Sequence, residues 1–221
     1  MFLMTPEMAP YLLLQRTTYQ RLLKENPSAT PAGLYHEEMA REFATMRPFL
    51  PATVTNVLDI GCGLAGIDHF IDRHYKGAAT IHLLDKNGVS DQVYYLFHDQ
   101  AAYYCSLDMA RTFLVFNGAS PDRVILHDVA RNGFPRRVRY DLVLSLISWG
   151  FHYPISAYLK HVKRWLAPNG VVILDIRKGT GGEGELMKSI GPVSVVHEYP
   201  KRLRVAVRRD VAIASDTDSE G

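Results

Sequence analysis

Ten residues constrain this chain more than any others: Val57-Leu58-Asp59-Ile60-Gly61-Cys62-Gly63-Leu64-Ala65-Gly66. The apolar run from Val54 to Ile60 has the character of a strand buried inside a parallel sheet. It gives way to glycines at 61, 63 and 66, and apolar residues then recur at Ile67, Phe70 and Ile71, the spacing of one helix face. The stretch therefore reads strand, glycine turn, helix. A turn of this kind bends the backbone sharply, lets a ligand approach it closely and offers the free N–H groups of the following helix start.

Two ligand classes suit that turn. A dinucleotide would place its pyrophosphate on the helix start. S-adenosylmethionine (SAM) would bring a cation instead. Asp59 separates the two, because a carboxylate near the carboxyl end of a buried strand is costly unless something pairs with it. It would repel a pyrophosphate and hold a cationic ligand. An ordinary turn capped by Asp59 is the plain structural alternative.

At 221 residues the chain can bury one substantial core with an appendage. Its net charge of +2 supplies no global field towards nucleic acid or membrane. Two basic clusters, Arg131/Arg136/Arg137/Arg139 and Lys201/Arg202/Arg204/Arg208/Arg209, read as solvated loop and strand faces. The two cysteines, Cys62 and Cys105, lack metal-ligand spacing and indicate no disulfide framework, so no metal is expected and the cytoplasm is the default compartment. Met1 to Gln15 makes a poor signal peptide, and no apolar run reaches membrane-spanning length.

In chain order, Tyr11 to Lys24 and Gly33 to Arg47 read as helices, the second from the spacing of Tyr35, Met39, Phe43 and Met46. They make residues 1–52 an N-terminal helical cap on a ligand-binding domain of residues 53–210, with an acidic, disordered tail at 211–221. After the glycine turn, Thr80 to Asp85 is a second strand ending in an acid 19 positions beyond Gly66. An acid there can accept both hydroxyls of a ribose. The long connection from Lys86 to Asp122 holds Tyr94, Tyr95, Phe97, Tyr103 and Tyr104, able to stack on a sugar or a planar substrate or to pack against the sheet, and then a helical stretch from Ser106 to Phe116. Val124 to His127 and Tyr140 to Leu146 are the third and fourth strands, and Asp128 follows the third. A helix from Pro154 to Leu166 leads through Pro168-Asn169-Gly170 into a fifth strand, Val171 to Ile176. Val193 to Tyr199 and Leu203 to Arg209 are strands separated by only three residues, too few for a parallel crossover, so they form an antiparallel hairpin.

These features together resemble the class I SAM-dependent methyltransferases. The carrying residues are the acid and Gly-x-Gly of the first turn, the acids after strands two and three, the Leu166-to-Gly170 approach to strand five and the terminal hairpin, spanning residues 54 to 209. The resemblance implies an α/β fold with a seven-stranded, mostly parallel, doubly wound sheet of order 3-2-1-4-5-7-6. It implies SAM as cofactor, held by Asp59, Gly61, Cys62, Gly63, Gly66, Asp85, Lys86, Asp128, Val129 and Ser145, with Asp128 accepting from the adenine amine. It also implies N-terminal helices that cover the cofactor and shape the acceptor pocket.

The acceptor pocket of an open α/β sheet lies beyond the carboxyl ends of its strands. Ser148 to Pro154, after strand four, should supply reacting groups. His152 is the candidate general base, since imidazole titrates near neutrality; a packing role at a helix start is the alternative. Trp149 and Tyr153 can frame an acceptor or belong to the core, and Tyr35 and His36 can reach the pocket from the second helix. The aromatic connection and the Ser148–Pro154 segment are loosely similar to bacterial sugar O-methyltransferases. The partner expected is a small-molecule acceptor, with nucleic acid disfavoured, no membrane, and a homo-oligomer compatible with the sequence. Methylation of an amine on a small molecule or peptide stays open, as does a non-catalytic SAM-binding subunit.

Overall fold

The strands pair in the predicted order, and the central ones carry two alternating sets of buried side chains. The computed structural model describes residues 1–89, 104–131, 135 and 137–210. Its main sheet consists of β1 (Asn56–Ile60), β2 (Thr80–Asp85), β3 (Val124–Asp128), β4 (Tyr140–Ser145), β5 (Leu166–Arg177), β6 (Val193–Glu198) and β7 (Arg202–Arg208). The spatial order is 3-2-1-4-5-7-6, with β1 to β5 parallel and β7 antiparallel to both β5 and β6. The helices are α1 (Met8–Gln15), α2 (Thr17–Glu25), α3 (Pro31–Met46), α4 (Gly66–His74), α5 (Leu107–Phe116), α6 (Ser156–Trp165) and α7 (Gly182–Ser189). None of the described helices is long and apolar enough to cross a membrane.

Val57, Ile81, Leu83, Leu142, Leu144, Val171 and Ile173 face one side of the sheet, in one core with Leu12 of α1, Tyr35, Met39 and Met46 of α3, Ile67 and Ile71 of α4, and Phe113 of α5. Leu58, Ile60, Leu84, Val143, Val172, Leu174, Val205 and Val207 face the other, under Val162 and Trp165 of α6 and Leu186 of α7. The period of two along each strand thus feeds both layers, which makes the strand sequences almost continuously apolar. Asp141, next to the start of β4, ties that strand to β1 by accepting the amides of Thr55 (2.7 Å) and Asn56 (3.0 Å).

Several expectations are corrected. The helix predicted over Tyr11–Lys24 is two helices, because Arg16 leaves the helical region (φ −122°, ψ 68°). The break is repaid locally: Arg16 reaches Glu38 of α3 at 2.7 Å, and Tyr19 of α2 donates to the same carboxylate. The fifth strand begins at Leu166 and takes in the Pro168-Asn169-Gly170 segment expected as a turn. Helix α7 was not foreseen, since its glycine-rich sequence carries little apolar signal; Gly181 opens it at φ 76° and only Leu186 and Gly182 are buried within it. The second basic cluster is not simply solvated. Arg204 is completely buried and grips Asp175 with both Nε (2.8 Å) and Nη2 (3.0 Å). Arg202 Nε lies 3.0 Å from the same carboxylate. Glu42 of α3 completes the group, 2.6 Å from Arg204 and 3.0 Å from Arg202, and accepts from Tyr199. Two cations and two carboxylates therefore clamp α3 onto the terminal hairpin.

The tyrosines and phenylalanine at 94, 95, 97 and 103, the side chain of Tyr104 and the tail at 211–221 lie outside the described residues.

Candidate active site

The site grows from the turn after β1. Gly61 has φ 79°, a left-handed conformation that glycine adopts without strain, and its N–H donates to Leu84 C=O (2.8 Å). A Cβ on Gly61 would fall 2.1 Å from Ser148 Oγ, so the loop after β4 is packed directly on the first glycine. Gly66 answers a different demand. Its N–H, free at the start of α4, donates to Tyr35 Oη (2.9 Å), and a Cβ there would fall 2.4 Å from Tyr35 Cζ. Gln15 at the end of α1 closes over Gly63. The glycine turn is thus bounded by α1, by α3 and by the loop after β4.

Two acids stand in register at adjacent strand ends, Asp85 of β2 opposite Asp128 of β3. Asp85 accepts from Lys86 N–H (2.8 Å) and Gly63 N–H (3.3 Å), which ties the acid at the end of β2 to the glycine turn. Val129 N–H donates to Asp85 C=O (3.1 Å). Asp128 Oδ1 accepts from Ala130 N–H (2.9 Å) and Asn87 N–H (3.4 Å). Its Oδ2 is buried without a hydrogen bond, 3.6 Å from Arg131 Nε. A buried carboxylate oxygen without a hydrogen bond retains the capacity to accept one from a ligand N–H.

Asp59 is buried beneath the turn with Oδ1 unpaired. Its neighbour is Asp68, in the first turn of α4, itself fully buried with neither oxygen accepting from a conventional donor. Burial pushes the Asp59 carboxyl up to about 7, offset in part by hydrogen bonding to Asp68 and reinforced by the charge of Asp85. Burial and then the charge of Asp59 push Asp68 well above the carboxylate range. Both carboxyls therefore keep their protons to higher pH than exposed carboxyls do. Asp68 was missed in the sequence, although its place on the same helix face as Ile67 and Ile71 signalled an inward-facing acid.

The loop after β4 begins with strain. Ile147, β-branched, sits at φ 59°, a region such residues avoid. Ser148 C=O then accepts the amides of Phe151 (3.1 Å), His152 (2.8 Å) and Tyr153 (3.1 Å), winding the segment into one tight turn. His152 is partly buried, with its ring edge-on to Phe151. Burial, and then the nearby Arg177, hold its imidazole below the ordinary histidine value, so it is neutral at pH 7 and able to accept a proton. Arg177 was missed; as the last residue of β5 it carried no pattern of its own.

Other predicted residues take different places. Ser145 is fully buried and its hydroxyl is spent on the backbone, donating to Ile60 C=O (2.8 Å) and accepting from Trp149 N–H (2.8 Å). It holds β1 to the loop instead of facing a ligand. Trp149 is also fully buried, with Nε1–H donating to Ile155 C=O (2.8 Å), so it belongs to the core and frames no acceptor. Tyr35 meets the glycine turn, not the loop of His152. His36 packs on Phe2 and Phe70, away from His152's own partners. Cys62 is a buried thiol within the turn, and Tyr153 is partly exposed.

This is the fold of the class I SAM-dependent methyltransferases, and solved structures carry the same likeness. The chain is similar to a methyltransferase from Pyrococcus furiosus (13% identity, TM-score 0.53, covering 77% of this chain and 82% of that one). It is similar to the StiE O-methyltransferase, residues 961–1257 (15% identity, TM-score 0.57, 90% and 87%). It is also similar to the T. thermophilus 16S rRNA N2 G1207 methyltransferase, solved with SAM and guanosine (15% identity, TM-score 0.52, 84% of this chain and 44% of that one). No protein-family model and no curated protein matches the sequence.

Proposed function

We propose that the chain is a SAM-dependent methyltransferase acting on a hydroxyl of a small molecule, a sugar among the candidates, with His152 as general base. The observation that carries the cofactor assignment is the register of Asp85 and Asp128 at adjacent strand ends, linked to the glycine turn through Gly63. Asp85 would accept from the ribose hydroxyls and Asp128 Oδ2 from the adenine amine, while the turn at Gly61–Gly66 would receive the methionyl part. SAM supplies a methyl carbon on a sulfonium, whose departure as a neutral thioether asks for no oxyanion stabilisation.

The protein's tasks are then to align the acceptor and to take its proton. Alignment can contribute up to about 7–11 kcal/mol, and a positioned base about 10²–10⁴-fold in rate. His152 suits the second task because its loop packs on Gly61 and its imidazole is held neutral. Tyr153, partly exposed on the same loop, would line the acceptor side.

Calorimetry with SAM, S-adenosylhomocysteine and NAD tests the cofactor. Binding of the first two, weakened by about 10–100-fold in Asp85→Ala, is the expected result, since a hydrogen bond to a charged acceptor contributes about 1.5–3 kcal/mol. NAD binding without SAM binding would refute it. Labelled methyl transfer to paired hydroxyl and amine acceptors then tests O- against N-methylation.

A further inference from the structure

We infer that Arg177 selects the acceptor, its guanidinium binding an oxyanion, a carboxylate or phosphate, carried by the molecule whose hydroxyl is methylated beside His152. This rests on the O-methyl transfer proposed above.

Arg177 closes β5 at the strand end from which the site opens. Its amide donates to Gly150 C=O (2.9 Å), which fastens the strand end to the loop after β4. Its Nε–H donates to Phe151 C=O (3.1 Å), and the guanidinium lies 4.2 Å from the centre of the Phe151 ring. These contacts fix the plane of the group and use only its Nε edge. Nη1 and Nη2 donate to nothing among the described residues, and no described carboxylate comes within ion-pair distance.

The surrounding charges are committed elsewhere. Asp175 and Glu42 are held by Arg202 and Arg204, and Glu198 by Lys178. Among the described residues on this side of the sheet, three arginines thus meet two carboxylates, and Arg177 pairs with neither. An immobilised, partly buried guanidinium with its fork open matches the bidentate geometry of carboxylate or phosphate.

Its position beside His152 gives the arrangement a chemical consequence. A bare cation there opposes protonation of the imidazole, and so opposes its action as a base. An oxyanion seated on Arg177 neutralises that charge and raises the proton affinity of His152 as the acceptor arrives. The acceptor O–H proton then passes to the imidazole, an oxygen lone pair forms the C–O bond, and the S–C bond electrons return to sulfur. The proton leaves His152 for solvent. A neutral acceptor would leave the base weakened.

Matched probes test this on the full-length chain saturated with S-adenosylhomocysteine: 4-hydroxybenzoate against 4-hydroxybenzyl alcohol, glucose 6-phosphate against glucose, and inorganic phosphate alone. Binding is measured by titration calorimetry in wild type and variants, and is placed at Arg177 in the wild type by the arginine Nε–H resonance that disappears in Arg177→Gln. The expected result is saturable binding of the anionic member of one pair with a shift of that resonance in the wild type, the affinity weakened by about 10–100-fold in Arg177→Gln and partly recovered in Arg177→Lys. The responding pair tells carboxylate from phosphate. Equal binding of charged and neutral members, unchanged binding in Arg177→Gln, or no shift with any anionic probe would overturn the inference. S-adenosylhomocysteine affinity, measured separately and expected to be equal in wild type and Arg177→Gln, scores the methyltransferase reading on its own.

Discussion

Asp59 and Asp68 meet as two buried carboxyls, one near the end of β1 and one in the first turn of α4, and among the described residues no basic side chain is paired to either. The further groups whose charges couple to them are acidic or phenolic: Asp85 from β2, Asp72 one turn along α4, and Tyr35 from α3. A raised carboxyl binds its proton more tightly in the folded than in the unfolded chain. Its contribution to stability is therefore complete below the ordinary carboxylate range and is lost as pH rises through about 7.

Asp68→Asn keeps the shape and removes the second ionisation. It should raise the melting temperature at pH 8, by the equivalent of about 1–3 kcal/mol, with the gain shrinking as pH falls to 5. Melting curves of the two proteins across pH 5–8 decide it; a variant less stable at pH 8 would mean that the pair is not the buried burden described.

The polar contact between Tyr35 and Gly66 gives a second expectation. Tyr35→Phe keeps the ring in its aromatic cluster with Phe2 and Phe113 but leaves the Gly66 N–H buried without an acceptor. Losing a buried partner costs about 1–3 kcal/mol. Urea titrations should show the midpoint falling with an unchanged slope. A midpoint equal to wild type would show that another acceptor takes over.

The clamp between α3 and the hairpin predicts a non-additive pair. Arg204→Met leaves Asp175 buried with only Arg202 beside it, and Asp175→Leu leaves Arg204 buried and half-paired. Each should cost about 3–5 kcal/mol, whereas the double variant should cost clearly less than the sum. Additive losses in a double-mutant cycle would show that the two side chains do not act as a unit.

How much of this the sequence showed depended on whether a residue's neighbours lay in its own segment. β2 matches its predicted bounds because six residues of apolar alternation ending in an acid need no outside information. The hairpin was legible for a similar reason, as three residues cannot bridge parallel strands. Asp59, Asp85 and Asp128 stand out in the sequence because each ends a strand or lies near its end. By contrast, the burial of Arg204 depends on Asp175 and Glu42, 29 and 162 positions away, and no local pattern reveals such a pairing. Ser145 and Trp149 sit where reacting groups belong, yet their polar atoms are consumed by backbone groups of neighbouring elements. Proximity along the chain to the acceptor edge was therefore a weaker guide than hydrogen-bond accounting in space.

His152 carries the last expectation. Its imidazole is held low first by burial and then by Arg177, so the acid limb of kcat/KM should fall below the ordinary histidine value of about 6.5. Above that limb the neutral ring accepts the acceptor's proton; below it the ring is already protonated and turnover drops. His152→Ala should lose the limb and lower kcat by about 10²–10⁴-fold while S-adenosylhomocysteine affinity stays the same. Arg177→Gln should move the limb upward, because the opposing charge is gone. The limb in kcat, which reports the enzyme with acceptor bound, should already lie above that in kcat/KM for the wild-type protein, since a bound oxyanion screens the same charge. If His152 instead only packs the loop after β4, His152→Ala would lower the melting temperature, keep most of its turnover and retain the acid limb. Measuring both quantities on the same preparation separates the two roles.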